Sequence, residues 1–271
     1  MTSNATLPAA ARLSNRAVIT QLNLTAWRTV KQNADETAAV NAKHGTRDVA
    51  TVHQRICAHP ALLEIYRLQA ALRVEHYRLT LPIADRGMRL LPVNRQVEHA
   101  DVLRGYRDQI ESLLAQFLAD YDRERADAPA RLGGLYVPGQ WPDRATVAAK
   151  FGFSVRYLPV PETGQWSEWM AEAAAAAHAD LRERLSSAII KVAQRLSDPD
   201  ARTYASLTSN LAELLALTPD LNLGSDPVIA EIAQRATALL EHDTDTLRDD
   251  PIARADIAGK ANEIVSLFNL S

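Results

Sequence analysis

His53, Cys57 and His59 are the residues whose types and spacing most invite chemistry, because thiolate and imidazole side chains are zinc ligands. His53 and Cys57 stand four apart and would share a helix face, with His59 beyond the expected helix end. Nothing nearby suggests a fourth ligand, and structural zinc motifs bring paired cysteines or histidines at tighter spacing. A buried thiol with surface histidines is the expectation, and no metal site is assigned. Glu75-His76 and Glu98-His99 are adjacent pairs. On a helix such neighbours point roughly 100° apart and do not face each other as a dyad. The sequence contains no His-Glu-x-x-His, Walker A, Gly-x-Gly-x-x-Gly or Gly-x-Ser-x-Gly string. Serine, histidine and aspartate are too common for their presence alone to argue a triad. No catalytic residue and no cofactor is therefore named, and an enzyme with an unrecognised site stands only as the third reading.

Charge and apolar clusters offer binding surfaces instead. Arg86, Arg89, Arg95, Arg104 and Arg107 face only Glu98 and Asp101 within their stretch, and arginine both neutralises phosphate and stacks on bases. They are the candidate nucleic-acid contacts, against the plainer possibility of a solvated face with local ion pairs. Near the C-terminus Glu241, Asp243, Asp245, Asp249, Asp250 and Asp256 face only Arg248 and Arg254. Two readings compete there: head-to-tail contact with the basic stretch of another copy, or simple capping of helix starts. Leu135, Tyr136, Val137, Trp141, Trp166, Trp169 and Met170 concentrate apolar area among prolines, the composition of an interface hot spot or of a small core. Trp166 and Trp169 are expected to be buried. Tyr136 and Trp141, with Leu267, Phe268 and Leu270 at the chain end, are the candidate partner contacts. The last three would be exposed unless docked, which suggests an arm exchanged between subunits.

The elements that must position these residues are mostly helices. Val97–Ala128 carries Leu103, Tyr106, Ile110, Leu113 and Phe117 at alternating three- and four-residue steps, and is expected to end by Pro129. Trp166–Ser197 carries Leu181, Leu185, Ala188, Val192 and Leu196 after the small run Ala173–Ala177, where a neighbouring helix could approach closely. At 1.5 Å per residue each would span roughly 45 Å. Between them Arg131–Gln165 is broken by Gly133-Gly134, Pro138-Gly139, Trp141-Pro142, Pro159 and Pro161, yet Phe153, Val155 and Tyr157 alternate as a strand does. A lone strand needs a partner, and Ile19–Thr25 is the best candidate. Further helices are expected over about 29–43, ending at Lys43-His44-Gly45, then over 48–58, and from Pro60 to Leu79. Leu81–Asn94 reads as an extended loop turned by Asp85-Arg86-Gly87. Asp198-Pro199, Asp226-Pro227 and Asp250-Pro251 each pair an N-cap with proline at the first helical position.

The fold class expected is thus mainly α. A disordered tail covers 1–15, an elongated helical hairpin 16–198 carries a small β-containing knob at 131–165, and a C-terminal helical region covers 199–271. Nearly half of the 271 residues are apolar, which excludes global disorder. The net charge of −3 gives no support to indiscriminate binding of nucleic acid or anionic membrane. Only 5 of the 30 basic residues are lysine, a ratio that biased codon usage explains as well as arginine-rich contacts do. The single cysteine permits no intrachain disulfide and suits a reducing cytoplasm. No membrane span and no apolar leader is expected.

Leu79-Thr80-Leu81-Pro82 with Gly87-Met88-Arg89-Leu90-Leu91-Pro92, Phe151-Gly152-Phe153-Ser154-Val155 with Pro159-Val160-Pro161, Arg195-Leu196-Ser197-Asp198-Pro199 and Leu221-Asn222-Leu223 share a further property. Together they resemble a family of uncharacterised phage and prophage proteins, known only as a domain of unknown function. Its members are often encoded near a MoxR-type AAA+ ATPase and a von Willebrand A-type protein. The resemblance covers roughly residues 20–240 and rests on turn and cap strings, so it carries over no catalytic residue. It implies a phage setting in the cytoplasm of a host bacterium, with an AAA+ ATPase as a candidate partner. The function expected is a non-enzymatic assembly or adaptor protein acting by self-association, as a homo-oligomer, and by partner binding. The alternative is a nucleic-acid-associated accessory protein using the Arg86–Arg107 surface.

Overall fold

The computed structural model describes residues 13–83, 87–161, 167–198, 201 and 205–270; of Ser167, Ala205, Asn269 and Leu270 it describes the backbone only. In chain order the elements are β1 (Ala17–Thr25), β2 (Val30–Gln32), α1 (Ala34–Lys43), β3 (His53–Arg55), α2 (Pro60–Leu79), β4 (Leu81–Pro82), β5 (Met88–Pro92), α3 (Gln96–Leu132), α4 (Arg144–Ala148), β6 (Gly152–Pro159), α5 (Ser167–Ser197), α6 (Ala205–Leu221), α7 (Pro227–Ala236), α8 (Thr244–Asp249) and α9 (Pro251–Leu270). Helix dominates, as the composition suggests. The strands form a sheet of order β4-β5-β1-β6 and a separate β2-β3 ribbon. The strand around Phe153–Tyr157 does lie beside the 19–25 strand. The residues read as a loop over 81–94 supply two more strands, paired antiparallel from Leu81↔Leu90 to Pro82↔Arg89, while β5 pairs β1 from Ala17↔Pro92 to Gln21↔Met88. Their turn lies mostly outside the described residues, but Gly87 has φ +82, where glycine is favoured.

The chain divides into two compact units, one of Met1–Gln21, Tyr77–His99 and Arg156–Ser271, the other of Leu22–His76 and Ala100–Val155. In the first, Ala17, Ile19, Leu81, Leu90 and Leu91 pack with Met170, Ala173, Ala177, Leu181 and Leu185 of α5 and with Leu217 and Leu221 of α6. Farther along α5, Ile189, Val192 and Leu196 pack with Ile257, Ala261 and Ile264 of α9. Arg182 donates to the Phe268 carbonyl at 3.0 Å, and Arg254 donates to the Leu196 carbonyl at 3.0 Å, so α5 and α9 run antiparallel.

In the second unit Trp27, Phe117, Tyr121 and Trp141 form an aromatic centre with Ile56, Leu62 and Val147. Trp27 and Trp141 meet edge to face at 5.6 Å, and the Tyr121 hydroxyl donates to the Pro142 carbonyl at 2.7 Å. Ile65 and Leu68 of α2 pack beside it on Ile110 of α3.

Several expectations need correction. The 97–128 stripe is buried by α2 and the aromatic centre, and the 166–197 stripe by β4, α6 and α9. α3 runs three residues past Pro129, because a proline in the last turn removes only one hydrogen bond from an already anchored helix. The helix expected over 29–43 starts only at Ala34, capped by the Asn33 side chain accepting from the Glu36 amide at 3.0 Å, and its first residues form β2. The helix expected over 48–58 is replaced by β3. There the Gln54 side chain is buried, accepting from Asn33 at 2.9 Å and donating to the Leu135 carbonyl at 3.2 Å. Of the tail expected over 1–15, residues 1–12 lie outside the described residues, and Leu13 is buried in the first unit.

Candidate interaction surfaces

The five arginines singled out by the sequence do not stand as a free cationic face. Arg86 lies outside the described residues. Arg89 donates from Nε to Thr80 Oγ1 at 2.6 Å and from Nη2 to the Thr80 carbonyl at 3.0 Å, where Arg184 Nη2 also donates at 2.9 Å. The two guanidinium groups thus satisfy carbonyl groups at the C-terminal end of α2, where a helix leaves acceptors unpaired and favours positive charge. Burial, with the neighbouring Arg184 charge, pushes the Arg89 pKa below its ordinary value. Arg95 is held between Glu98 at 2.7 Å and Asp220 at 2.5 Å. Arg104 pairs with Asp101 at 2.9 Å, and Arg107 lies over the Phe153 ring at 5.0 Å. Arg89 and Arg95 belong to the first unit, Arg104 and Arg107 to the second.

The apolar partner contacts fare similarly. Trp141 is only 1% exposed and is core, which corrects its placement on an interface. Tyr136 packs against the same centre, and the large apolar groups left in solvent there are Leu135 and Val137. Leu267 and Phe268 dock on the α5–α9 core of their own chain, so no exchanged arm is needed to cover them; the Leu270 side chain lies outside the described residues. Trp169 is half-buried and its neighbour Met170 fully buried, while Trp166 lies outside the described residues.

The remaining clusters have local employment. Cys57 is fully buried, and its desolvation raises the thiol pKa. His59 Nε2 stands 3.3 Å from Asp120, and His53 is exposed on β3. Among the described residues no group of three or more His, Cys, Asp or Glu side chains is placed to hold a metal ion. His99 is 1% exposed, with Nδ1 2.9 Å from the Tyr157 hydroxyl, and burial pushes its pKa down to about 4. The acidic run is used within the chain. Asp243 and Asp250 cap α8 and α9, Glu241 and Asp256 flank Lys260, and Asp245 and Asp249 flank Arg248.

Two surfaces emerge that sequence reasoning missed. α2 buries Leu62, Ile65, Leu68, Gln69 and Leu72 as its spacing predicts; of His76 and Tyr77, either of which the spacing allows on that face, His76 is the buried one, and the opposite side is also largely apolar. Leu63, Arg67, Ala70, Val74 and Tyr77 follow at alternating four- and three-residue steps and are all exposed. Leu63 is 37%, Val74 63% and Tyr77 50% exposed. A single helix with apolar residues on both faces offers one of them to a partner. The second surface is the irregular segment joining β1 to β2. It is pinned from behind: the Thr25 carbonyl accepts from Gln69 Nε2 at 3.1 Å, the Trp27 carbonyl from the Tyr66 hydroxyl at 2.5 Å, and the Thr29 carbonyl from the Ile56 amide at 2.8 Å. With the Trp27 ring sunk in the core, this segment forms the shared floor of two grooves, of about 460 and 440 Å³.

Comparison with known proteins assigns neither surface: no family model matches the chain, and neither a curated protein nor a solved structure does.

Proposed function

We propose that the protein is a non-enzymatic assembly or adaptor component that works by self-association, with the outer face of α2 as the seam between copies. The observation that carries this is the exposed stripe of Leu63, Ala70, Val74 and Tyr77 on a helix whose other face is already buried. Ala70 at its middle lets a second helix approach closely, and Leu63 and Tyr77 lie seven residues to either side, so an antiparallel copy sets Leu63 against Tyr77. Each of these large side chains is already partly covered, so docking gains about 1 kcal/mol apiece. Six from two copies offset only the lower end of the cost of association, about 4–15 kcal/mol. The contact proposed is therefore weak in a pair and effective in a larger assembly, where several such contacts act together. It does not require the two long helices to pair as a hairpin. The phage or prophage setting, the host cytoplasm and an AAA+ ATPase partner belong to the same proposal and are supported by the motif resemblance alone.

Light scattering on a sizing column, at tens of micromolar protein in low and high salt, tests the seam. The expected mass exceeds the 29.8 kDa of one chain and holds or rises at high salt, as apolar contact requires. Val74→Glu with Leu63→Glu should return the protein to a monomer with unchanged helicity. A monomer in the parent protein under both salts refutes self-association, and an oligomer that survives both substitutions refutes the α2 seam.

A further inference from the structure

We propose that the pinned segment between β1 and β2 is a docking site for the sugar-phosphate backbone of double-stranded nucleic acid, contacted by Arg28, Lys31, Arg73 and Lys150. These four cations line the two grooves that share residues 25–28, and no carboxylate lines either groove. Among the described residues none of the four has a carboxylate within 4.0 Å; Lys43, Arg47, Arg55, Arg107 and Arg125 of the same unit share that property but line neither groove, while Arg67, Arg104, Arg123, Arg131 and Arg144 are paired. Cations gathered without counter-charge repel one another, and a polyanion laid along the groove removes that repulsion while releasing its own counterions.

The chemistry favours phosphate over other anions and duplex over single strands. Four separate positive groups, drawn from the 25–28 segment, β2, α2 and the turn after α4 to the two adjoining grooves, match a ligand with repeated charge. A single strand is normally held by stacking on free aromatic rings, but Trp27 is buried and Tyr66 is packed against the same core. An acidic protein partner would look for an exposed aromatic anchor, which is missing for the same reason. Arg and Lys side chains lining shallow grooves neutralise phosphates, so the contact proposed reads backbone and not sequence. None of this depends on the outer face of α2: a monomer that binds duplex leaves this proposal standing and removes only the self-association one.

The test is fluorescence anisotropy of a labelled DNA duplex titrated with the full chain across a range of salt. Four neutralised phosphates predict a slope of log affinity against log salt near −3.6, a loss of roughly 150-fold between about 50 and 200 mM. Changing Arg28, Lys31, Arg73 and Lys150 together to Ala should flatten that slope toward zero and abolish low-salt binding. Circular dichroism should show an unchanged fold, since three of the four are exposed and Lys31 is half-exposed. Arg104→Ala with Arg123→Ala, which removes cations already paired with carboxylates, should leave affinity within about twofold. The proposal is overturned if the parent chain shows no salt-dependent binding, or if the quadruple variant binds as the parent does. It is equally overturned if a single strand, polyglutamate or phosphatidylserine vesicles bind more tightly than the duplex.

Discussion

His99 makes the folded protein sensitive to mild acid in a way that can be calculated. It sits in the first turn of α3, 1% exposed, with Nδ1 2.9 Å from the Tyr157 hydroxyl. Burial lowers its pKa from 6.5 to about 4, so the imidazole is neutral in the folded chain where the unfolded chain would carry a proton. The unfolded state then binds more protons between those two values, and stability rises with pH across that window. His99 costs nothing well above pH 6.5, and its penalty grows as pH falls from 6.5 toward 4. At pH 4.5 the loss relative to pH 7 is about 2.5 kcal/mol. Urea unfolding followed by tryptophan fluorescence, at the two pH values, on the parent protein and on His99→Gln, isolates this term. Glutamine keeps a hydrogen-bonding group near Tyr157 but does not titrate. The parent should lose about 2.5 kcal/mol more than the variant, a differential shift near 1 M urea for an m of about 2–3 kcal/mol/M. Equal losses in the two proteins would mean that His99 is protonated or solvated in the folded state, and the burial argument would fail.

Three further perturbations probe the framework around the proposed surfaces. Phe117→Ala empties a fully buried position ringed by Trp27, Tyr121 and Phe151 and should cost about 3–5 kcal/mol in chemical denaturation, whereas Leu63→Ala on the outer face of α2 should cost under about 1. Asp226→Ala removes a carboxylate that accepts from the Val228 amide at 2.6 Å and also contacts His178, so a loss of about 1–2 kcal/mol is expected; Asp226→Asn should recover most of it, because asparagine caps nearly as well. At Gly152 an added Cβ would stand 2.6 Å from Thr25 Oγ1, so Gly152→Ala should destabilise by about 1 kcal/mol, and Thr25→Ala in the same chain should relieve most of it; additive losses in the double variant would refute the close approach.

Local signals were legible wherever the chemistry is local. The apolar spacing from Pro60 to Leu79 identifies both the helix and its buried face, and Asp226-Pro227 marks a helix start because cap and proline act within one turn. Gly45, at φ +64, ends its helix as the Lys43-His44-Gly45 string suggests. The misread segments were short and half-polar. Thr29–Gln32 and His53–Arg55 carry too few residues for a period to show, and the buried Gln54 that joins them is stabilised by partners as far away as Leu135. The basic stretch misled for a related reason. Counting charges along the chain leaves out Asp220, which neutralises Arg95 from 125 residues away, and the Thr80 carbonyl just past α2, which engages both Arg89 and Arg184.

By itself the sequence determined that the protein is mainly helical, where most helices begin, which face of most of them must leave water, and that a strand near Phe153 needs a partner, with Ile19–Thr25 the best candidate. Those properties follow from periodicity, caps and proline, all of which act over a few residues. Only the tertiary structure decided what each face is buried against: an apolar stripe states that it needs cover without naming the cover. It therefore settled that α5 lies along α9, that Trp141 is core, and that α2 leaves Leu63, Val74 and Tyr77 exposed on its second face, with Arg89 over the Tyr77 ring. It also gathered Arg28, Lys31, Arg73 and Lys150, which are scattered over 123 positions of chain, onto one groove. Charge at a surface is a sum over neighbours in space, and a linear chain does not list those neighbours.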